Sequence, residues 1–218
     1  ILYLKRSQKF FPYIESELEK RGMPEDIKYL AVAESALLQE AYSSAGAAGI
    51  WQFIPSTGQN YGLRVDEEVD ERMHYEKATD AALDYLQKLH DQFGSWTLAA
   101  AAYNAGENQI VSRLKAQEVK NYYDLYLFPE TSRYVIRIMA IKEIMEHPEK
   151  YNYQMEARDY FYWPDYKDIK VEGPIENISA WAQEQGSNYR LLREMNPWIL
   201  GDTLSEGTWE IKVVLEEK

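Results

Sequence analysis

Glu34 sits in the run YLAVAESALLQEAY, residues 29–42, which otherwise reads as the apolar spine of a buried helix. On a period of 3.6 residues its neighbours are Leu30, Ala31, Leu37 and Leu38, all apolar. Burial penalises the charged form of a carboxyl group, so an acid placed there tends to keep its proton. A carboxylic acid that is still protonated near neutral pH can serve as a general acid and then, once ionised, as a general base. Downstream, the loop from Tyr42 to about Gly49 is rich in small residues and leads into GIWQFIPSTGQNYGL. Gly46 and Gly49 would let backbone approach a ligand closely. Trp51 offers a ring face, and Gln52 an amide that both donates and accepts. Later, AAYNAG places Tyr103 and Asn104 at the end of an apolar segment. Taken singly, each polar residue could merely satisfy buried backbone; converging with a half-buried acid, they point to a polar ligand.

Other chemistries find little support. His74, His90 and His147 are scattered, without an HExxH pair or a carboxylate cluster, so no metal or other cofactor is expected. No nucleophile elbow accompanies a Ser-His-Asp set, and GAAGIWQF lacks the glycine spacing and context of a phosphate loop. There is no cysteine, which removes disulfide and thiolate chemistry. The formal charge of -12, from 36 acidic and 24 basic residues, disfavours nucleic acid as a partner. No apolar run approaches the roughly 18 residues of a membrane span. The chain opens at Ile1 in mid-pattern and reads as trimmed, which leaves open a removed export signal or lipid anchor. A monomer is expected.

The elements that must position these residues are mainly helical. SQKFFPYIESELEKRG carries Phe10, Phe11, Ile14 and Leu18 at helical spacing and stops at Gly22. MPEDIKYLAVAESALL restarts after Pro24 with acids in its first turn. YEKATDAALDYLQKLHDQFG turns Ala82, Leu83, Leu86 and Leu89 inward and stops at Gly94. WTLAAAAYNAG should be a central buried helix; ENQIVSRLKAQ and SRYVIRIMAIKEIMEH follow, the last ending before Pro148. Composition then shifts. Residues 151–166 form an aromatic, aperiodic linker, and beyond it DIKVEG, ENISAWAQEQG, NYRLLREMNPW and TWEIKVVLEE predict strand, two helices and strand. The fold class is thus mainly α over residues 1–150, followed by a small, separate α+β module at 167–218.

Four stretches resemble, in order and with proper spacing, the motifs of the lytic transglycosylases. They are Glu34-Ser35, SSAGAAGIWQFIPSTGQNYGL from Ser43, AAYNAGENQI from Ala101, and PETSRYVIRIMA from Pro129. The group is the soluble lytic transglycosylase-like one of glycoside hydrolase family 23, and YGL with GMPEDIKYLAVAES looks most like its membrane-bound branch. The resemblance implies a lysozyme-like domain with a glycan cleft. It implies that Glu34 is the catalytic acid/base, that Ser43 hydrogen-bonds near the carboxylate and the substrate, and that Gln52 contacts an N-acetyl group. Tyr103 matches the tyrosine supporting that glutamate, with Asn104 beside it, and Glu130 and Tyr134 match a cleft element. On this reading Ser43 and Tyr103 are the partners of Glu34. Trp51 departs from a common methionine and should keep the apolar wall. More weakly, the C-terminal module resembles a LysM domain, although Pro174, Ile175 and Glu176 depart from that pattern in a loop associated with glycan contact.

Members of this group cleave the bond between N-acetylmuramic acid and N-acetylglucosamine without water and leave a 1,6-anhydro sugar. The resemblance therefore implies peptidoglycan glycan strands as partner and the periplasmic cell envelope of a bacterium as location, with outer-membrane anchoring open. One embedded acid without an obvious twin suits assistance by the sugar's acetamido group. Glu130 keeps a second carboxylate in play, and its alternative reading is a charge at a helix N-terminus. Two other functions stay open at this point: a murein or chitin-type hydrolase that admits water, and a murein-binding scaffold without turnover.

Overall fold

A computed structural model describes residues 1–214; Leu215 to Glu217 of the expected last strand lie outside the described residues. The helices are α1 (Leu2–Arg21), α2 (Lys28–Ser35), α3 (Pro55–Asn60), α4 (Tyr75–Phe93), α5 (Trp96–Ala105), α6 (Glu107–Gln117) and α7 (Pro129–Glu146). The C-terminal part adds β1 (Tyr166–Glu172), α8 (Ile178–Glu184), α9 (Tyr189–Met195) and β2 (Thr208–Val214). Gly22 and Gly94 end α1 and α4 in left-handed conformations, as their positions after the last periodic residue predict. Ala82, Leu83, Leu86 and Leu89 are all buried on the inner side of α4.

The alanine-rich α5 runs through the middle of the helical part, packed against α4, α6 and α7. Its small side chains allow that close approach, and Leu98, Ala99, Ala101 and Ala102 are buried. A larger apolar cluster joins Phe10, Ile14 and Leu18 of α1 to Leu30 and Val32 of α2, Leu83 and Leu86 of α4, and Tyr134 of α7. One expectation fails at the most important helix. The run from Tyr29 predicts a helix through Leu38, yet α2 ends at Ser35 and the chain reverses through Ala36 and Leu37, both left-handed (φ 57° and 55°). Leu37 is still buried, while Leu38 is exposed.

The two C-terminal strands pair antiparallel with Ile169 opposite Ile211. Asn196, at the end of α9, is buried and bonds the backbone of Lys212 in both directions (Nδ2 to O 2.7 Å, N–H to Oδ1 2.9 Å). That amide clasp locks α9 onto β2. The module is docked instead of standing apart: its apolar core of Ile178, Leu192, Trp198, Leu204 and Ile211 takes in Val69 and Met73 from the helical part. Lys212, almost wholly buried, spans the junction with Nζ 3.0 Å from Glu76 and 2.9 Å from Asp168.

The aromatic linker lies across α1. Trp163 stacks on Tyr75 at 5.6 Å, meets Phe10 edge-on, and donates its indole N–H to the Lys9 carbonyl at 2.7 Å. The Phe161 amide donates to the Lys5 carbonyl at 2.8 Å. Trp163→Ala removes a ring seated between two aromatic neighbours and is expected to lower the unfolding free energy by about 2 kcal/mol. Urea denaturation of the full chain measures this.

Candidate active site

Helix α2 delivers Glu34 in its last turn, where the partly negative helix carbonyls already disfavour a second negative charge. The abrupt end of the helix after Ser35 has a purpose: the chain turns away and leaves the carboxyl at the edge of a cleft. This cleft, of about 570 Å³, is lined by Glu34, Ser43, Gln52, Tyr103, Asn104 and Glu130, among others. Six sequence candidates thus meet on one surface, although they come from α2, the 42–53 loop, α5 and α7. The seventh, Tyr134, lies behind them, 1% exposed, and its hydroxyl donates to Glu34 Oε1.

The direct partner of Glu34 is therefore Tyr134, where the sequence reading assigned Ser43 and Tyr103. Tyr103 donates its hydroxyl to the Trp51 carbonyl at 2.7 Å. It pins the loop from below and stays near enough to Glu34 for the carboxylate to raise the phenol's cost of ionising. Ser43 Oγ accepts the Ala47 amide at 3.0 Å, which leaves its O–H to point elsewhere. Trp51 is also corrected. Its ring is fully buried, with the indole N–H on Thr79 Oγ1 at 2.9 Å, so it offers no face to a ligand.

Burial raises the Glu34 carboxyl from 4.5 to about 7. Exposed Glu130, in the first turn of α7, adds a small push in the same direction; the Tyr134 hydrogen bond and the Arg137 guanidinium pull the other way without winning. Burial holds the phenols of Tyr134 and Tyr103 well above their usual value of 10.0, so both remain O–H donors. Gln52 has a left-handed backbone (φ 52°), and its Nε2 donates to the carbonyls of Gly49 (2.9 Å) and Ala41 (3.2 Å). Two carbonyl partners fix which end of the amide is nitrogen. Its oxygen is the end left for a ligand N–H. Asn104 accepts from Thr131 Oγ1 at 3.1 Å and so ties α5 to the start of α7.

The sequence reading passed over Arg72 and Tyr85. Tyr85 lines the cleft beside Tyr103 (ring centroids 5.4 Å apart), but its helical position next to Leu86 makes it look like core. Arg72 is 1% exposed and pairs with Asp70 through Nε–Oδ1 (2.8 Å) and Nη2–Oδ2 (2.6 Å). Its Nη1 also donates to the carbonyls of Gly46 (2.7 Å) and Phe53 (2.9 Å), fastening the middle and the far end of the cleft loop. Gly49 is forced by this contact: with φ at 80°, a Cβ would fall 1.8 Å from the Arg72 carbonyl oxygen. A sequence signals a buried arginine poorly when half of its partners are distant backbone carbonyls.

The raised pKa has a cost in stability. The folded chain keeps the Glu34 proton up to pH about 7, whereas an unfolded glutamate releases it near 4.5. Stability therefore falls as pH rises through that window and stays lower above it. Glu34→Gln is expected to leave stability unchanged below pH 4.5 and to raise it by on the order of 3 kcal/mol above pH 7. Urea unfolding of both proteins at pH 4 and pH 9 checks the sign and size.

Comparison with known proteins identifies the family. Residues 11–125 match the transglycosylase SLT domain family, and residues 167–213 match the soluble lytic transglycosylase C-terminal LysM-like domain. The membrane-bound lytic murein transglycosylase D of Escherichia coli K12 is 32% identical over 204 residues, covering 91% of this chain. The chain spans 44% of that relative's length. Among solved structures, an inactive Glu-to-Gln mutant of the lytic transglycosylase Slt from Pseudomonas aeruginosa superimposes with a TM-score of 0.53 at 24% identity. That likeness covers 69% of this chain and 26% of the other. A 70-kDa soluble lytic transglycosylase in complex with bulgecin A gives 0.52 at 21% identity, over 68% and 26% of the two chains. Both share the fold. With a buried acid, its tyrosine donor and the SLT match over more than half its length, the chain belongs to the transglycosylase SLT domain family.

Proposed function

We propose that the chain is a lytic transglycosylase that cleaves the MurNAc-GlcNAc bond of peptidoglycan without water and leaves 1,6-anhydroMurNAc ends. The observation that carries this reading is the Glu34 carboxyl, half-buried in the cleft and protonated up to about pH 7. In the first half-reaction Glu34 donates its proton to the bridging oxygen, the C1–O bond breaks, and the leaving sugar departs as an alcohol. The acetamido oxygen shields the developing charge at C1, so no carboxylate nucleophile is required. In the second, ionised Glu34 takes the proton from the C6 hydroxyl of the same sugar, and O6 bonds to C1. The acid is regenerated and no water is consumed.

The other side chains have matching work. The Tyr134 hydroxyl steadies the carboxylate between the two steps, and the free oxygen of Gln52 suits an acetamido N–H. Ser43 can turn its O–H toward the substrate. Glu130, exposed on the cleft wall at the first turn of α7, is read as a binding residue, with Asn104 holding α5 and α7 in register behind it. We assign residues 1–150 to the catalytic domain, 151–166 to the linker and 167–218 to a LysM-like module. Ile175, in the loop that departs from the LysM pattern, is buried and paired with Leu204, so that loop serves packing. Glycan contact by the module would fall to the depression lined by Asn177, Ser179, Tyr189 and Asp202. A site in the bacterial envelope follows from the substrate, and the name of the Escherichia coli relative supports it.

Digestion of purified peptidoglycan followed by mass spectrometry tests the chemistry. The expected fragments carry anhydro ends, lighter by one water than hydrolysis products, and Glu34→Gln yields none. Reducing ends would make the chain a hydrolase, and no fragments at all would make it a scaffold. Because Glu34 must start protonated, activity is expected to fall as pH rises through about 7. Tyr134→Phe removes a contact that favours the carboxylate, so it should move that limb to higher pH while lowering kcat.

A further inference from the structure

Residues 64–73 form a small hairpin, closed by a bridge between Val65 and Asp70, with different neighbours on its two sides. On one side lies the cleft loop. The buried Asp70–Arg72 pair reaches the Tyr42 hydroxyl (Arg72 Nη2, 2.6 Å) as well as the Gly46 and Phe53 carbonyls. Gln39 Nε2 adds a bond to the Met73 carbonyl at 2.9 Å. The loop so held, residues 42–53, carries Ser43, Ala45, Ala47, Gln52 and Phe53 of the cleft lining. On the other side lies the C-terminal module. The Asp70 amide donates to the Trp198 carbonyl (2.8 Å), and the amides of Leu200 and Gly201 donate to the Glu68 carbonyl (2.8 and 3.1 Å). Val69 and Met73 are buried in the module's own apolar core.

The same residue, Asp70, therefore gives its backbone to the module and its carboxylate to the arginine that shapes the cleft. A buried ion pair of this kind holds its geometry only while the backbone beneath it is fixed, because an unpaired charge in that place is costly. We propose that the C-terminal module braces the active site: by docking on residues 68–73 it fixes Asp70 and Arg72, and through them the substrate-facing loop 42–53. Asp70 and Arg72 are thus positioning residues, and the module takes part in glycan binding in the cleft whether or not it holds sugar itself. The activity half of this statement rests on the proposed lytic transglycosylase function; the structural half does not.

The test uses the full chain and begins without substrate. Val69→Ala trims the junction from the cleft's side, and amide hydrogen exchange is followed at 198–201, at 42–53 and in the interior of α4. Exchange is expected to quicken by about tenfold at both 198–201 and 42–53 while α4 stays protected. With peptidoglycan, KM should rise by about tenfold while the pH limb set by Glu34 stays in place. Arg72→Lys should loosen 42–53 in the same way but leave 198–201 protected. Faster exchange at 198–201 with 42–53 unchanged would overturn the brace. If Val69→Ala yields too little folded protein, Ile199→Ala makes the same cut from the module's side and is read by the same criteria. Absence of turnover by the unmodified chain would refute the proposed activity and leave the exchange result standing.

Discussion

The cost of ionising one carboxyl group away from bulk water organises this molecule. Glu34 sits in the last turn of α2, beside apolar side chains and facing the negative end of its own helix, and all of these favour the proton. Left alone, such a site would hold the proton too well for the group to give it up. Tyr134 corrects the balance: its phenol is buried and stays protonated, so it keeps an O–H to donate, and it donates to the carboxylate. Desolvation is opposed chiefly by this hydrogen bond and next by the Arg137 guanidinium, and the difference leaves the acid poised near neutrality.

The remainder of the helical domain can be understood as keeping that balance in place. Tyr134 comes from α7, a hundred residues along the chain from Glu34. Their meeting depends on α5, whose alanines let α7 approach closely and whose Asn104 fastens the start of α7. The opposite wall has no regular structure, so its geometry is set by side chains reaching into backbone carbonyls: Tyr103 on Trp51, Gln52 on Gly49 and Ala41, Arg72 on Gly46 and Phe53. A loop held in this way keeps its polar groups satisfied while leaving a few oxygens and hydroxyls directed into the cleft.

Most of the architecture is legible in the sequence because it follows local rules. Periodicity marks the inner face of α4, glycines mark the ends of α1 and α4, and Pro148 follows the end of α7. The end of α2 escapes such reading, since Ala36 and Leu37 take left-handed conformations that glycine usually signals. The candidate residues around Glu34 were recognisable as a set through motif order, but their mutual contacts were not. Which hydroxyl reaches the acid depends on how α2, α5 and α7 pack, and no spacing encodes that. Trp51 was misjudged for a related reason: a ring next to a candidate binding residue looks available until the fold turns it inward onto Thr79. Arg72 was invisible because three of the four groups its guanidinium bonds lie outside its own short segment, and two of those are carbonyls.

The central claim is that the Glu34 side chain still holds its proton in a large share of folded molecules near neutral pH. Titration of its carboxyl carbon by NMR in the full chain, assigned by comparison with Glu34→Gln, measures this directly. The account expects a midpoint near 7. A midpoint near the ordinary value of 4.5 would contradict it, because the acid would then have no proton to give at the pH where the chain must act.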